Sequence, residues 1–303
     1  MESARDRKTM EIVEAEDLWL LPEVDTYGYI CRGCKLDVFP ASYQKTNLQR
    51  PHFRSARGKD HFEGCDIEGE KKTVSKGRTG SVRKELETSA ALSPARLKLR
   101  NERTVVDVDL PPSAAQTTSV SKSRSGDVGE ERPKGRRSAN SIRPICRAFI
   151  DFPYDRDLSL EVPGIDDTTY QYAFKKLRGE GIETFTRAKI FYAELHWSKP
   201  EEEGDYLYIN LSAGEWVKDP PKLVRPYRIR VCREGWSKAK RTVVRNEIDV
   251  LREEGIEAKK KNSKERPWVF FIGEQDEKDP AIFNVTDHRL VCGLLGTITY
   301  PKR

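Results

Sequence analysis

Metal-binding side chains are concentrated in one short stretch near the start of the chain. Cys31, Cys34 and Cys65 make up half of the six cysteines. Cys31 and Cys34 form a C-x-x-C pair, and His61 and Cys65 form an H-x-x-x-C pair. Two short pairs separated by a loop are typical of a tetrahedral zinc site, because Zn²⁺ takes thiolate and imidazole ligands. We therefore predict that Cys31, Cys34, His61 and Cys65 bind Zn²⁺.

The sequence leaves several alternatives to this assignment open. His52, nine positions before His61, is a second candidate for the imidazole ligand. The Cys31–Cys34 pair could instead be redox-active, although no βαβ pattern surrounds it, and the thiols could simply be buried as small hydrophobic groups. Gly33 is expected to permit the turn between the two cysteines. Four protein ligands would leave zinc no open position for a substrate, so the predicted role of the metal is structural and no catalytic residue is predicted.

The segments YICRGC, PHF and HFEGC resemble the zinc-binding N-terminal segment of CoiA-like competence proteins, and the resemblance covers about residues 27–67. It implies a zinc module in a bacterial-type DNA-processing, mobile-element or defence setting. In that family a nuclease domain follows the zinc segment. Here a polar tract follows Cys65 instead, so the resemblance does not extend nuclease activity to this chain.

Composition separates the chain into unlike parts. Of the 303 residues 34% are charged, and the mean hydropathy is −0.73, which is very polar for one compact body. No apolar run approaches the roughly 20 residues of a membrane-spanning helix, and the N-terminus lacks the apolar centre of a signal peptide. We expect a cytoplasmic protein with no membrane partner.

A long tract in the middle of the sequence is predicted to be a disordered linker. Residues 63–148 contain no Phe, Tyr or Trp, and residues 70–143 carry 17 Lys and Arg against 9 Asp and Glu. Such a tract is either a solvated spacer or a basic tether that contacts phosphate nonspecifically. The predicted division is a zinc-binding module over 1–68, a disordered basic linker over 69–142 and an α+β domain over 143–303.

The C-terminal region alternates short apolar segments with two helical patterns. PICRAFIDF near residue 145 reads as a strand, and Tyr170, Ala173, Phe174 and Leu177 are spaced as one face of a helix. Strands are also predicted over TRAKIFYAELHW, YLYINL, RPYRIRVC and WVFFIG, the first two as a hairpin, and a second helix begins near residue 237 and ends at Gly255. This order predicts a β-rich mixed domain with two helices, for which an OB-like barrel is one candidate arrangement.

Basic residues suggest two surfaces for nucleic acid, with DNA favoured over RNA. Arg54, Arg57 and Lys59 lie in the zinc module, while Arg228, Arg230 and Trp236 lie on or after one predicted strand. Cations of this kind can meet phosphates, and an aromatic ring can stack on a base. The sequence favours a nucleic-acid-binding protein.

Two other classes of function stay open. Two modules on a flexible tether would suit an adaptor that joins two protein partners. A metal-dependent nuclease is a further alternative, since Asp249 with Glu257 and Lys259 faintly resembles a nuclease carboxylate set. The chain contains no G-x-G-x-x-G, G-K-[ST] or G-x-S-x-G motif, so dinucleotide binding, nucleotide hydrolysis and acyl transfer have no support.

Overall fold

The computed structural model describes residues 1–44, 47, 49–62, 65–88, 92–99, 136–179, 181–219 and 221–301. Within these ranges the chain is a mixed α+β protein with more strand than helix, which confirms the predicted fold class. Residues 100–135 of the predicted linker lie outside the described residues.

Five short strands near the N-terminus form an antiparallel sheet that carries the cysteine-rich stretch. They are β1 (Ser3–Asp6), β2 (Ile12–Glu14), β3 (Tyr29–Ile30), β4 (Asp37–Ala41) and β5 (His52–Ser55). Their order is β2-β1-β3-β4-β5, and two backbone hydrogen bonds between Met1 and Phe53 bring β5 back towards the start of β1. Among the described residues the core of this sheet holds eight buried side chains, two of them Cys31 and Cys65. A core this small needs a further source of stability.

Part of the predicted linker is folded, which corrects its boundaries at both ends. The elements within or overlapping 69–142 are α1 (Asp66–Gly77), α2 (Arg83–Thr88), β6 (Arg96–Leu97) and β7 (Ser138–Ala139). Val82, Leu86 and Ile142 are buried in the core of the C-terminal region. The absence of aromatic residues misled the sequence analysis because aliphatic side chains supply this packing.

Beyond residue 170 nine described strands form two sheets. They are β8 (Phe174–Lys176), β9 (Ile190–Glu194), β10 (Glu201–Glu203), β11 (Tyr206–Lys218), β12 (Pro221–Cys232), β13 (Arg266–Phe271), β14 (Glu274–Gln275), β15 (Ile282–Val285) and β16 (Val291–Gly296). One sheet has the order β10-β11-β12-β15-β14 and the other β16-β13-β9-β8. The pairs β12–β15 and β8–β9 are parallel. A single bridge between Leu195 and Leu211 joins the two sheets, and the OB-like barrel stays a prediction.

Three α-helices rather than two occur among the described residues of 143–303. They are α3 (Arg143–Asp151), α4 (Tyr170–Ala173) and α5 (Lys238–Lys260). Short 3₁₀ helices occur at η1 (Ala15–Leu20) in the N-terminal module and at η2 (His288–Leu290).

Two segments differ in type from their prediction. The segment near Ile145 that was predicted as a strand is helix α3, with Pro144 in its first turn. Nearly every residue of this helix is buried, so the spacing of apolar residues did not distinguish helix from strand. The predicted helix over Tyr170 to Leu177 ends after one turn, and Phe174 begins strand β8. Phe174 stacks on the Phe149 ring at 4.0 Å between centroids, so tertiary packing overrides the helical pattern.

The four-stranded sheet is buried on both faces. Phe191 and Phe271 point towards α5 and the sheet that contains β11 and β12. Tyr192 and Phe270 point towards α3 on the opposite face. Strand β9 pairs with β13 and β8 in this sheet, whereas β11 pairs with β10 and β12 in the other. The predicted hairpin between β9 and β11 is therefore replaced by these pairings.

Helix α5 begins where predicted but continues beyond its predicted end to Lys260. Ser237 caps its N-terminus by accepting the Lys240 N–H at 3.4 Å. Gly255 lies inside the helix rather than at its end. A Cβ at this position would come within 2.9 Å of the Pro267 ring. This glycine permits close packing of α5 on β13 instead of ending the helix.

The N-terminal module is docked on the C-terminal region through η1. Trp19 is 2% exposed and packs with Val243 and Val250 of α5. Glu16 lies 3.0 Å from Arg143, which also pairs with Glu247. Further ion pairs across this interface join Arg50 to Glu254 at 2.7 Å, Arg137 to Glu14 at 3.1 Å and Arg147 to Glu2 at 2.8 Å. The module is therefore part of one packed structure.

Candidate metal centre

Cys31 and Cys34 lie in the tight turn that connects β3 to β4. The Cys31 N–H donates to the Leu36 carbonyl at 2.7 Å, and the Lys35 N–H donates to the Cys31 carbonyl at 3.0 Å. Lys35 takes the left-handed conformation with φ 59°, so this residue closes the turn in place of the predicted Gly33. The Gly33 N–H instead donates to Cys31 Sγ at 3.4 Å, which favours the thiolate form of this sulfur.

The second ligand pair lies at the start of α1. Cys65 is the N-cap residue of this helix, and its N–H donates to the Phe62 carbonyl at 3.0 Å. Gly69 N–H donates to the Cys65 carbonyl at 3.3 Å. The positive end of the helix dipole favours the thiolate form of a cysteine in this position.

The four predicted ligands converge on one point. Cys31 Sγ is 3.7 Å from Cys65 Sγ, and His61 Nδ1 is 3.4 Å from Cys34 Sγ and 3.6 Å from Cys65 Sγ. All four ligand atoms lie within 4.8 Å of one another. A tetrahedral ion with zinc's bond lengths would separate two sulfurs by about 3.8 Å and a sulfur from a nitrogen by about 3.5 Å. The residues therefore fit a tetrahedral metal ion.

The two thiols of the C-x-x-C pair differ in acidity. Burial raises the pKa of Cys31 to about 12. Burial acts in the same direction on Cys34, but hydrogen bonds from His61 and from the Leu36 and Phe62 N–H groups outweigh it and lower the pKa of Cys34 to about 6. Cys34 is therefore the more readily ionised of these two thiols.

The fold decides between the two histidines. His52 lies in β5 with its Nδ1 3.2 Å from the Arg50 carbonyl, outside the cluster. Among the described residues, the cluster of Cys31, Cys34, His61 and Cys65 is the one group of metal-ligating side chains close enough to share an ion.

The remaining cysteines lie elsewhere. Cys146 and Cys292 are buried next to each other in the core around α3, and Cys232 is half-buried in β12. Burial and the neighbouring Cys292 raise the pKa of Cys146, so little of this thiol is in the reactive thiolate form.

Helix α1 connects the metal cluster to the C-terminal core. Near its start, Glu70 pairs with Arg32, which lies between the two cysteines of the C-x-x-C pair. At its end, Gly77 lies so close to Phe152 that a Cβ would be 2.4 Å from the ring. Arg78, directly after the helix, pairs with Asp151 of α3 at 2.7 Å.

The basic residues predicted in the zinc module are exposed. Arg54 lies in β5, and Arg57 and Lys59 follow it in the loop that leads to His61. Within the described part of the chain, none of the three forms an ion pair.

The basic residues predicted on β12 are paired with carboxylates. Arg228 lies 2.9 Å from Glu201, and Arg230 lies 2.5 Å from Asp276. Both lie on the outer face of the sheet, while Ile229 is buried, as the period of the predicted strand requires. Trp236 is half-buried, packs against the core and meets the His288 ring edge-on at 5.7 Å between centroids. This surface therefore carries little free positive charge.

The nuclease-like carboxylates do not converge. Asp249 and Glu257 lie on the same helix, α5, about 12 Å apart along its axis. Asp249 pairs with Arg245 at 2.8 Å and Glu257 with Lys261 at 3.4 Å, each within one turn of the helix. These groups stabilise the helix surface and form no metal site.

Sequence analysis missed the cleft between η1 and the C-terminal region. The cleft has a volume of about 780 Å³, and Glu16, Arg143 and Glu247 are among its lining residues. Burial opposes ionisation of Glu16, but Arg143, Arg147 and Arg50 outweigh it and hold the Glu16 pKa below its ordinary value. These residues come from distant parts of the chain, so no local sequence motif indicates the cleft.

No known protein family, curated protein or solved structure matches this chain. The resemblance to CoiA-like proteins therefore rests on the cysteine and histidine segments alone. None of the helices in the described ranges has the length and apolar character that crossing a bilayer requires.

Proposed function

We propose that this chain is a zinc-containing nucleic-acid-binding protein whose metal is structural. The observation that carries the metal assignment is the tetrahedral spacing of Cys31, Cys34, His61 and Cys65. Three thiolates and one imidazole favour Zn²⁺ over hard cations such as Mg²⁺ and Ca²⁺, which prefer oxygen ligands. A closed four-ligand site supplies folding energy and holds β3, β4 and α1 together.

The nucleic-acid assignment rests on charge at the module's surface. Arg54, Arg57 and Lys59 are exposed and unpaired within the described residues, so they keep their charge for an external anion. Arg228 and Arg230, in contrast, already meet carboxylates. We infer that the zinc module is the principal contact surface and that DNA is its partner, in a bacterial-type DNA-processing, mobile-element or defence setting.

Elemental analysis of the purified chain tests the zinc assignment. We expect one zinc per chain in the wild type and almost none in Cys34→Ala, because three ligands bind far more weakly than four. Cys232→Ala is the matched control, since it removes a half-buried thiol outside the cluster. Equal zinc content in wild type and Cys34→Ala would reject the ligand set.

Salt-dependent binding to labelled DNA tests the nucleic-acid assignment. The triple variant Arg54→Gln, Arg57→Gln, Lys59→Gln should bind more weakly than the wild type and show a smaller slope of log affinity against log salt, by about 0.7–0.9 for each phosphate that is no longer neutralised. A control variant with Lys222→Gln, Lys238→Gln and Lys260→Gln changes the net charge equally at exposed sites elsewhere. Negligible binding of the wild type at low salt, where phosphate contacts are strongest, would end this proposal.

The docked module bears on the two alternatives. An adaptor of the predicted kind needs modules that move independently, whereas Trp19 and Glu16 fix the zinc module against α5 and α3. A nuclease needs converging carboxylates, whereas Asp249 and Glu257 are separated along α5. Neither alternative is favoured by a specific contact.

A further inference from the structure

An exposed tyrosine and Arg54 lie on either side of Phe39 in the zinc module. Tyr27 is 75% exposed, the highest value among the large hydrophobic side chains of the described residues. Its ring meets the Phe39 ring edge-on, with centroids 5.7 Å apart. Phe39 in β4 is the cross-strand partner of Arg54 in β5. Directly opposed residues share one face of an antiparallel pair, so Tyr27, Phe39 and Arg54 form a row across the outer face of this sheet.

The turn before β3 holds the backbone of Tyr27 in place. The Asp25 carboxylate accepts the Tyr27 N–H at 3.1 Å, and the Asp25 carbonyl accepts the Gly28 N–H at 3.1 Å. A Cβ on Gly28 would lie 3.0 Å from Asp25 Cγ, so the turn is compact. A backbone held in this way loses little conformational freedom when a ligand stacks on the ring.

Charge near this row favours an anionic ligand. The two acidic groups next to it are already paired, Asp37 with Arg7 and Asp25 with Lys8 at 3.8 Å. Arg54 forms no ion pair within the described part of the chain. Over the described residues 54–62 the chain carries Arg54, Arg57 and Lys59 against the one carboxylate of Asp60.

The outer face of the β10-β11-β12-β15-β14 sheet presents neither an unoccupied ring nor an unpaired arginine at the positions predicted to bind nucleic acid. Arg228 lies 4.6 Å above the Tyr208 ring and Arg230 5.7 Å from the Tyr206 ring, so guanidinium groups of the same chain already occupy these rings. The same arginines are bound by carboxylates. The tyrosines and arginines of β11 and β12 are thus occupied by each other and by carboxylates, whereas, among the described residues, Tyr27 and Arg54 of the zinc module are not.

We propose that the row formed by Tyr27, Phe39 and Arg54 binds single-stranded nucleic acid, with one base stacked on Tyr27 and the backbone phosphates against Arg54, Arg57 and Lys59. Bases of a single strand can turn out and stack on an aromatic ring, whereas those of a duplex are enclosed in their own stack. This inference rests on the proposed function and specifies which form of nucleic acid the module takes.

Fluorescence anisotropy with a labelled DNA single strand and with the duplex of the same sequence tests the inference. Wild type should bind the single strand more tightly than the duplex. Tyr27→Ala should lose at least about fivefold in single-strand affinity, the smaller end of what one base–aromatic stack contributes. Its duplex affinity and its salt slope should not change, because no charge is removed. Tyr27→Phe keeps the ring and should restore single-strand binding.

Tyr172→Ala is the matched control, because Tyr172 is 58% exposed on α4, far along the chain from this row. Zinc content equal to that of the wild type verifies that each variant is folded at the metal centre. If the duplex binds as well as the single strand and Tyr27→Ala changes neither affinity, the stacking inference is overturned while nucleic-acid binding stands. If neither form binds at low salt, the proposed function itself fails and this inference fails with it.

Discussion

The N-terminal module is held at its two ends by different kinds of contact. At one end, Cys31, Cys34, His61 and Cys65 gather around one point within a small sheet. At the other, Trp19 packs on α5 and Glu16 pairs with Arg143 of α3. The first set of contacts lies within 35 consecutive residues, whereas the second joins residues more than 100 positions apart. The cysteine and histidine cluster joins parts of the module itself, and the docking contacts determine where the module lies.

Metal removal should have the largest effect, because a structural zinc site supplies on the order of 10 kcal/mol to a small domain. Treating the protein with a chelator should abolish amide protection in β3, β4 and the first turn of α1. The midpoint of thermal unfolding of the whole chain should also fall, because α1 ends against Phe152 in the C-terminal core. Hydrogen exchange and calorimetry measure these effects. A C-terminal region whose unfolding midpoint does not move would mean that the metal serves the module alone.

Trp19→Ala should lower the free energy of unfolding by about 3–5 kcal/mol, since it leaves a cavity between η1 and α5. Zinc content should remain that of the wild type, because the ligands lie at the other end of the module. Urea denaturation measures the loss. Trp197→Ala, at a site 41% exposed, is the control and should cost much less. Loss of zinc in Trp19→Ala would show that the two ends are not independent.

Glu16→Gln should cost about 3 kcal/mol at neutral pH, because it leaves the buried Arg143 with one carboxylate partner fewer. The exposed pair Arg96–Glu161 provides the comparison, and Glu161→Gln should change stability by less than about 1 kcal/mol. Equal effects of the two substitutions would contradict a structural role for the Glu16 pair.

The same carboxylate predicts a pH dependence. The Glu16 pKa is below its ordinary value of 4.5 in the folded chain, so its contribution is complete above that value and is lost as the pH falls through the lower folded pKa. Denaturation between neutral and acidic pH should therefore show a shallower loss of stability in Glu16→Gln than in the wild type. Parallel curves would indicate that Glu16 does not titrate differently on unfolding.

Arg228→Gln should have the smallest effect, within about 1 kcal/mol, because its pair with Glu201 is partly solvated and such pairs contribute little. Its DNA affinity should also match the wild type, since this arginine is already paired. Thermal unfolding and the salt titration measure the two quantities. A marked loss of DNA affinity would indicate that DNA contacts β12 rather than the zinc module.

The metal ligands could be chosen from sequence with one ambiguity. C-x-x-C and H-x-x-x-C place their side chains together through a single turn, so spacing alone was informative. His52 competed with His61 until β5 placed it against the Arg50 carbonyl. The left-handed conformation of Lys35 was missed because lysine rarely adopts it, whereas the glycine two positions earlier, Gly33, is the residue type that favours it.

Secondary structure was predicted well where one face is buried, and the two segments assigned to the wrong type are both packed on nearly every side. Strand β12 and helix α5 alternate buried and exposed positions with their own periods. Helix α3 and the segment around Phe174 are packed on nearly every side, so their patterns did not separate helix from strand. Aliphatic residues such as Val82 and Leu86 entered the core from a tract whose composition resembles a linker.

The sequence alone determined which four side chains could share a metal ion, the α+β class and the strand character of β12, since each depends on patterns among near neighbours along the chain. Only the tertiary structure decided that the N-terminal module is docked, that Arg228 and Arg230 are paired with carboxylates and that Tyr27 and Arg54 lie on either side of Phe39. Burial and ion pairing are satisfied by partners brought from distant positions. A local pattern states what a side chain requires, but it does not state which residue will meet that requirement.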